Sequence, residues 1–416
     1  MKRNRIVNRN NAVPLNPHLM EKLRKMKPID IVVGILCKNV ETTILHVLNV
    51  VSEGLHKYFP EYKKIMAISD GFSSDRTVEL ANLFQPYNGI EKIVTEDIVE
   101  GGKGAGVKTI IEIAHETEAK SIILVDGDLL SIKPEWIQEF SYPILYGRAD
   151  LIIPYYIRDK YDGVITNHLA YPFTRALYGL DIRQPLAGEF GISKNLYEIL
   201  REHPLFPYDF GIDIFVVTSA AAEGMEIKEG IYSFKIHEST TRYLEPETLL
   251  IPMFRQVTGR MFELAKYYEN CWKSKERDVY KTQHRECFAQ KPIPVKVDIN
   301  KLKESFRKEF SSSRKAFKNF LPEDMVIKLE GVTKKIDHFS PELWAEIVYT
   351  FASLYKNAKK KSEKYILLDS LKTIWLGRFL SFVMETKDTD LNEAERLIQN
   401  QARIFEEKFD YFLSIY

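Results

Sequence analysis

The sequence predicts an α/β protein: a Rossmann-like, mostly parallel sheet with helices on both faces, followed by a C-terminal helical region. Three observations carry this. Four short apolar runs rich in β-branched residues alternate with helix-spaced segments between Ile29 and Asp126. A polar cluster sits at the C-terminal end of these runs or at the start of the next helix. From about residue 246 onward, apolar residues recur mainly at helical spacing.

The elements follow in order. "IDIVVGIL" (29–36) is the first strand, and "ETTILHVLNVVSEGLHKY" (41–58) a helix with Ile44, Val47, Leu48, Val51 and Leu55 on one face. "KKIMAIS" (63–69) is a strand, and "SSDRTVELANLF" (73–84) a helix with a serine N-cap. "EKIVT" (91–95) is the third strand. "GKGAGVKTIIEIAHETEA" (102–119) is a helix with a Gly-rich entry, and "SIILVD" (121–126) is the fourth strand. "LIIPYYI" (151–157) and "GISKNLYEIL" (191–200) suggest a mixed extension. In "SPELWAEIVYTFASLYK" (340–356), Ser340 is the N-cap and Pro341 the first helical residue. The 365–384 and 391–415 stretches also read as helices, and 273–290 as a linker or exposed helix. The expected organisation is a loose basic leader (1–28), an α/β domain (29–245) and a mainly helical domain (246–416).

Composition excludes several classes. The net charge is +1, so no global field marks a nucleic-acid or membrane partner. The apolar stretch 365–384 carries Asp369, Lys372 and Arg378 and reads as a buried helix, not a membrane span. The N-terminus lacks the apolar core of a secretory signal. The three cysteines, Cys37, Cys271 and Cys287, have no C-x-x-C spacing. That argues against a disulfide framework or zinc ribbon and fits a reducing cytoplasm.

The chemistry gathers where open α/β sheets bind ligands, at the carboxyl ends of the strands. Cys37-Lys38-Asn39 ends strand one and Ser69-Asp70-Gly71 strand two. Gly101-Gly102-Lys103-Gly104 opens the fourth helix, and Asp126-Gly127-Asp128 ends strand four. The glycine run lacks P-loop spacing, and a lysine interrupts it as a dinucleotide fingerprint. Two carboxylates two residues apart repel unless a cation offsets them. A divalent cation, Mg²⁺ or Mn²⁺, held by carboxylate and bridging a diphosphate would do so. Lys103 adds a point charge.

"ILCKNVETTI", "AISDGFSSDRTVE", "GGKGAG" and "LVDGDL" together resemble nucleotide-sugar glycosyltransferases of the GT-A fold, with Asp-Gly-Asp as the D-x-D motif. "RQPLAGEF" (183–190), "DFGIDIFVV" (209–217), "SFKIHES" (233–239) and "PYYIRDKYDGVITN" (154–167) narrow the resemblance. They are similar to the retaining enzymes that make compatible solutes: mannosylglycerate, glucosylglycerate and glucosyl-3-phosphoglycerate synthases. The resemblance covers 29–245 well and the remainder loosely.

It implies a GDP- or UDP-hexose donor, a D-glycerate or 3-phosphoglycerate acceptor and a divalent metal, and it leaves room for a homodimer. Asp128 and His237 are implied as metal ligands. Lys103 is implied to contact the diphosphate or donor sugar and Asp126 to lie by the ribose and donor sugar, with Gly127 also in the nucleotide-sugar site, and Asn39, Glu41, Ser69 and Asp70 fall at the base and ribose. Leu186 is implied to offer a carbonyl near the anomeric centre and Asp213 to bond donor sugar or acceptor. Arg158 and Thr166 are implied to hold the acceptor carboxylate, with Ala187 and Gly188 beside it. The chain departs from the family at Thr240, where mannosylglycerate synthase has tyrosine, and in a shorter loop before Lys103. At Val164 the phosphoglycerate enzymes carry arginine, so unphosphorylated glycerate is expected unless Lys160 compensates. Two other classes fit parts of the pattern. A nucleotidyltransferase would carry its Gly-rich loop after strand one, where this chain has "LCKNVE". A noncatalytic sugar-binding scaffold would tolerate loss of Asp128 or His237.

Overall fold

The computed structural model describes residues 15–237, 246–274, 291–334 and 339–416. Residues 275–290 of the segment 273–290, expected as a linker or exposed helix, the departure at Thr240 and the leader's first 14 residues lie outside the described residues.

In chain order the elements are α1 (Pro17–Met26), β1 (Ile31–Cys37), α2 (Ile44–Tyr58), β2 (Lys64–Asp70), α3 (Thr77–Leu83), β3 (Ile90–Glu96), α4 (Lys103–Glu116) and β4 (Ser121–Asp126). Then come α5 (Pro134–Leu145), β5 (Leu151–Ile157), α6 (Tyr171–Tyr178), β6 (Phe190–Ser193), α7 (Lys194–Glu202), α8 (Ile212–Ala222) and β7 (Ile227–Phe234). A π-helical turn, Thr166–Ala170, leads into α6. The remainder is helical: α9 (Pro246–Tyr267), α10 (Glu269–Ser274), α11 (Ile299–Phe320), α12 (Glu323–Lys334), α13 (Pro341–Asn357), α14 (Lys361–Thr386), α15 (Leu391–Glu407) and α16 (Phe409–Ile415). The chain divides into two compact units. One runs to Asp150 and adds Glu189–Asp209; the other takes Leu151–Gly188 and everything from Phe210 onward. This division differs from the boundary expected at 245.

In the first unit the strands lie in the order β3-β2-β1-β4-β6. The first four are parallel, and β6 runs antiparallel to β4. The chain moves outward from β1 to β3 and then returns past β1 to β4. That reversal puts a topological switch point beside β1. Right-handed crossovers in opposite directions send α2 and α4 to opposite faces. Gly34 of β1 lets α4 sit close, because a Cβ there would lie 2.6 Å from Ile110. Gly54 does the same between α2 and α5, where a Cβ would lie 2.7 Å from Ile137.

Two local expectations change. Residues 17–26, expected within a loose leader, form α1. Asn16 caps it, Pro17 starts it, and its Leu23 is fully buried. Arg24 and Lys27 tie the helix region to Glu116 and Glu118. The helix expected from Ser73 begins instead at Thr77, because Ser73, Ser74 and Asp75 are used in the turn before it. After Asp128 a short turn leads into α5, with Pro134 in its first turn.

The second unit pairs β5 with β7 in parallel, Leu151 opposite Ile227. Its helices pack around aromatic side chains: Trp272 stacks on Phe412 at 5.3 Å and Tyr349 on Phe412 at 4.5 Å. Ser340 caps α13 by accepting from the Leu343 N–H. The helix expected over 391–415 breaks at Lys408 into α15 and α16. Buried arginines bind the unit internally. Arg175 reaches Glu406 and Asp181, and Arg378 reaches Glu385 and Gln401. Among the described residues no helix is long and apolar enough to cross a membrane.

Candidate functional site

The paired carboxylates at the end of β4 are held in place by the glycine between them. The Gly127 N–H donates to the Leu36 carbonyl at 2.8 Å, and Thr43 Oγ1 donates to the Gly127 carbonyl at 2.9 Å. A Cβ at this position would lie 2.9 Å from both Cys37 Sγ and the Leu36 oxygen. Only glycine lets the strand end lie against β1 so closely. Asp126 and Asp128 flank this contact and are half-buried. The cation beside them is Lys103, whose Nζ lies 2.8 Å from Asp126 Oδ1.

The residues expected at base and ribose take up different tasks. Asp70 accepts from the Ser73 N–H at 2.8 Å and from Ser73 Oγ at 2.6 Å, so both of its oxygens serve the turn. The Asn39 side chain accepts from the Ser74 N–H at 2.8 Å, and Glu41 accepts from the Arg76 N–H at 2.9 Å. These bonds fasten the β1 and β2 loops to each other. Asn39 has a left-handed φ of 53°, which asparagine tolerates.

The Ser69 hydroxyl donates to Asp97 Oδ1 at 2.5 Å. Asp97 escaped the sequence reading. Its signal was the same as that of Asp70 and Asp126: an acid at the carboxyl end of an apolar strand. It is 7 % exposed, and burial pushes its carboxyl up to about 6. Cys37 registers the whole cluster. Burial raises its thiol well above the usual range, and the charges of Asp70, Asp97, Asp126 and Asp128 add to that. These four carboxylates converge around the end of β1, where a polyanionic ligand would be repelled without added cations.

The glycine run at the start of α4 serves a backbone crossing. The Gly102 and Gly104 N–H groups donate to the carbonyls of Tyr208 and Asp209, at 2.7 and 3.2 Å. They are therefore engaged by protein. A Cβ on Gly104 would lie 2.2 Å from the Pro207 oxygen. Gly104→Ala is expected to destabilise the fold by about 2–3 kcal/mol through forced displacement of that backbone. Urea unfolding of the variant checks this; an unchanged midpoint would mean the 207–209 segment yields freely.

The second unit holds the residues implied for the acceptor. Arg158 follows β5 and Thr166 opens the π turn. A Cβ on Gly163 would lie 3.0 Å from Arg158 Nη1 and 3.9 Å from Thr166 Oγ1, so the two side chains are neighbours. Both line a cavity of about 70 Å³ together with Arg183, Gln184 and Glu395, room for a handful of waters. The Arg158 guanidinium is mostly buried and lies over the Tyr156 ring. Its nearest carboxylate oxygen, on Asp162, is 4.0 Å away. Its Nε has no hydrogen-bond partner. Lys160 donates to the carbonyls of Thr386 and Thr389 at 2.6 and 2.7 Å, and Val164 is buried.

The "RQPLAGE" element is explained by β5. The Gln184 side chain pairs with the Tyr156 backbone like an added strand residue, its Nε2 donating to the Tyr156 carbonyl at 2.7 Å. Arg183 forms a two-point pair with Glu395 at 2.9 Å. Leu186 lies in the following turn, Lys235 Nζ donates to the Ala187 carbonyl, and Gly188 has a left-handed φ of 99°. Asp213 is in the first turn of α8, where a carboxylate also suits the helix dipole. His237 follows β7 and is half-buried.

Among the described residues no three His, Cys, Asp or Glu side chains gather as a cation cage. A cation such as Mg²⁺ commonly uses one or two carboxylates and takes its other ligands from substrate phosphates and water. The carboxylate oxygens around Asp128 fit that type of site.

No family model matches the chain, and no curated protein matches it. Among solved structures it is similar to glucosyl-3-phosphoglycerate synthase from Mycobacterium tuberculosis in complex with phosphoglyceric acid. The identity is 21%, over 59% of this chain and 83% of that one, with a TM-score of 0.45. The same enzyme with Mn²⁺ and UDP-glucose matches at 21% identity, over 59% and 82%, with a TM-score of 0.46. Its complex with Mg²⁺ and UDP matches at 21% identity, over 59% and 83%, with a TM-score of 0.44.

Proposed function

We propose that the protein is a retaining glycosyltransferase that moves an α-glucosyl group from GDP- or UDP-glucose to D-glycerate. The product, glucosylglycerate, would accumulate in the cytoplasm as a compatible solute. The observation that carries this reading is Arg158 beside Thr166 in a small cavity. A mostly buried guanidinium whose paired carboxylate, Asp162, stands off at 4.0 Å has a fork with room for a small anion, and that planar fork meets a carboxylate at two points. The committed Lys160 and the buried Val164 favour an acceptor without a phosphate.

On the donor side, Lys103 offsets negative charge as the nucleoside diphosphate leaves, which is where charge grows in the transition state. Asp126 orients Lys103 through their 2.8 Å pair. Asp128 would hold Mg²⁺ or Mn²⁺, with His237 as a second ligand proposed from the sequence resemblance. When bound, that ion neutralises diphosphate charge. The bond from the anomeric carbon to the phosphate oxygen breaks, and a bond to the acceptor hydroxyl oxygen forms on the same face. The hydroxyl proton passes to the departing phosphate oxygen, so no side-chain nucleophile is needed. Leu186 and Asp213 are proposed to position the sugar, and Ala187 and Gly188 the acceptor.

The test pairs each nucleotide sugar with each acceptor in the presence of Mg²⁺. D-glycerate should exceed 3-phosphoglycerate in kcat/KM. Arg158→Lys should raise the glycerate KM at least about tenfold, because an ammonium cannot reproduce the fork, and leave nucleotide affinity unchanged. Strong preference for 3-phosphoglycerate would overturn the acceptor assignment. Release of pyrophosphate rather than nucleoside diphosphate would overturn the reaction class.

A further inference from the structure

We propose that the turn between α13 and α14, with the first turns of α14, docks on an anionic membrane surface. Its lysines face lipid phosphates, and Tyr365 and Ile366 enter between the headgroups. This goes beyond the proposed reaction and does not depend on it.

The charge is local. The whole chain carries +1, which hides a strong asymmetry. The stretch "KNAKKKSEKYI" (356–366) holds five lysines and one acid. Lys359, Lys360 and Lys361 are consecutive and all exposed. The acids nearby are engaged elsewhere. Glu363 accepts from the Lys360 N–H at 3.2 Å, Glu269 takes Lys356 and Lys273 at 2.8 and 2.6 Å, and Asp369 pairs with Arg255. Helix α11 extends the patch. A Cβ on Gly377 would lie 2.6 Å from the Phe306 ring, and Lys372 pairs with Glu309 at 2.9 Å. The two helices are therefore antiparallel. Six residues further along each, the exposed Lys315 reaches the level of Ile366, and the exposed Lys318 lies beyond it.

Apolar surface sits among these charges. Tyr365 and Ile366 are each 48% exposed, while Leu367, Leu368 and Leu371 fill the core side of the same helix. Lys266 Nζ donates to the Lys356 carbonyl at 3.1 Å, which brings the neighbouring Tyr267, 49% exposed, to the same end of the unit. Packing does not require these rings and this isoleucine to face water. Large apolar side chains grouped beside uncompensated charge mark a contact surface.

The mixture favours lipid. Clustered lysines are drawn to the negative potential of an anionic leaflet. Tyrosine suits the boundary, with an apolar ring and a polar tip. Lysine stems lie along apolar surface while their ammonium groups stay in the headgroups. A nucleic acid would answer the charge alone. The cations gathered here are all lysines, however, without the guanidinium fork that clamps a single phosphate. Ile366 also offers no ring on which a base could stack. With no helix among the described residues able to cross a bilayer, the contact is peripheral.

Co-sedimentation of the full chain with vesicles tests this. Vesicles of phosphatidylcholine with about 30% phosphatidylserine should bind the protein, and pure phosphatidylcholine should not. Raising salt from about 0.15 to about 0.5 M should release it. Replacing all three exposed lysines (Lys359→Gln, Lys360→Gln, Lys361→Gln) should weaken binding roughly a hundredfold, about fivefold for each charge. Ile366→Ser should weaken it about fivefold and leave the salt dependence unchanged. The thermal midpoint of the triple variant should match wild type, since its changes lie on exposed side chains. Equal binding to both vesicles, no binding to either, or a triple variant that binds like wild type overturns the proposal. A parallel titration with single-stranded poly(U) RNA separates the other polyanion. Binding of RNA without binding of anionic vesicles would make nucleic acid the partner and overturn the lipid assignment.

Discussion

Asp128→Ala should lower turnover by roughly two to four orders of magnitude, the scale on which electrostatic and metal contributions to group transfer act. The fold should survive, because Asp128 is half-buried in a turn after β4 and Gly127 makes the close contact with β1. The discriminating measurement is kcat with a thermal midpoint taken in parallel. Excess EDTA should reduce wild type to the level of the variant and leave the variant unaffected. Full turnover by Asp128→Ala, or by wild type in EDTA, would remove metal assistance from the proposal.

Lys103→Ala should be the second severe lesion, at roughly two orders of magnitude in kcat, comparable with the loss of one preorganised donor at a developing charge. Its cause is twofold. The variant removes the positive charge aimed at the diphosphate, and it leaves Asp126 without its 2.8 Å cation among Asp70, Asp97 and Asp128. Nucleotide affinity should fall along with kcat. Adding Asp126→Asn to Lys103→Ala should recover part of the binding loss and little of the kcat loss, because only the repulsion is relieved. Equal recovery of both would mean that Lys103 serves the fold and not the reaction.

Much of the sheet that carries the proposed donor half was legible in the sequence. Strands β1 to β4 were visible because buried parallel strands read as short apolar runs, and the chemistry sits where each run stops. The bonding among those residues was not visible. Nothing local to Asn39 or Glu41 shows that they bond the 73–76 turn, and nothing local to Gly104 shows that Pro207 crosses it. Those partners are far away in the chain. Helix α5 was missed because prolines 134 and 143 read as breakers, although a proline in the first turn favours a helix. Helix α1 was missed because its basic residues dominate; its one fully buried side chain, Leu23, leaves no periodic stripe. Asp97 was missed because a lone acid after a strand carries no motif, and its bond to Ser69 joins residues 28 positions apart. In the proposed acceptor half, Arg158 and Thr166 were named through resemblance alone, since the seven residues between them form a turn and a helix start that carry no periodic pattern.

The cavity proposed for the acceptor is assembled from distant parts of the chain. Arg183 takes its carboxylate from Glu395, Lys160 takes its carbonyls from Thr386 and Thr389, and Leu391 and Ile398 complete the wall. During synthesis the arginine leaves the ribosome more than 200 residues before its partner, a delay of roughly 10–40 s at ordinary elongation rates. Through that interval Arg158, Lys160 and Arg183 are cations with unfinished surroundings. The residues proposed for the nucleotide in the first unit, Asn39 to Asp128, are by contrast all made by the time Asp209 emerges, ahead of Asp213 and His237. The order of translation therefore separates the two halves of the chemistry in time. A nascent chain would therefore carry the first-unit side chains proposed for the nucleotide well before the proposed acceptor cavity is walled in.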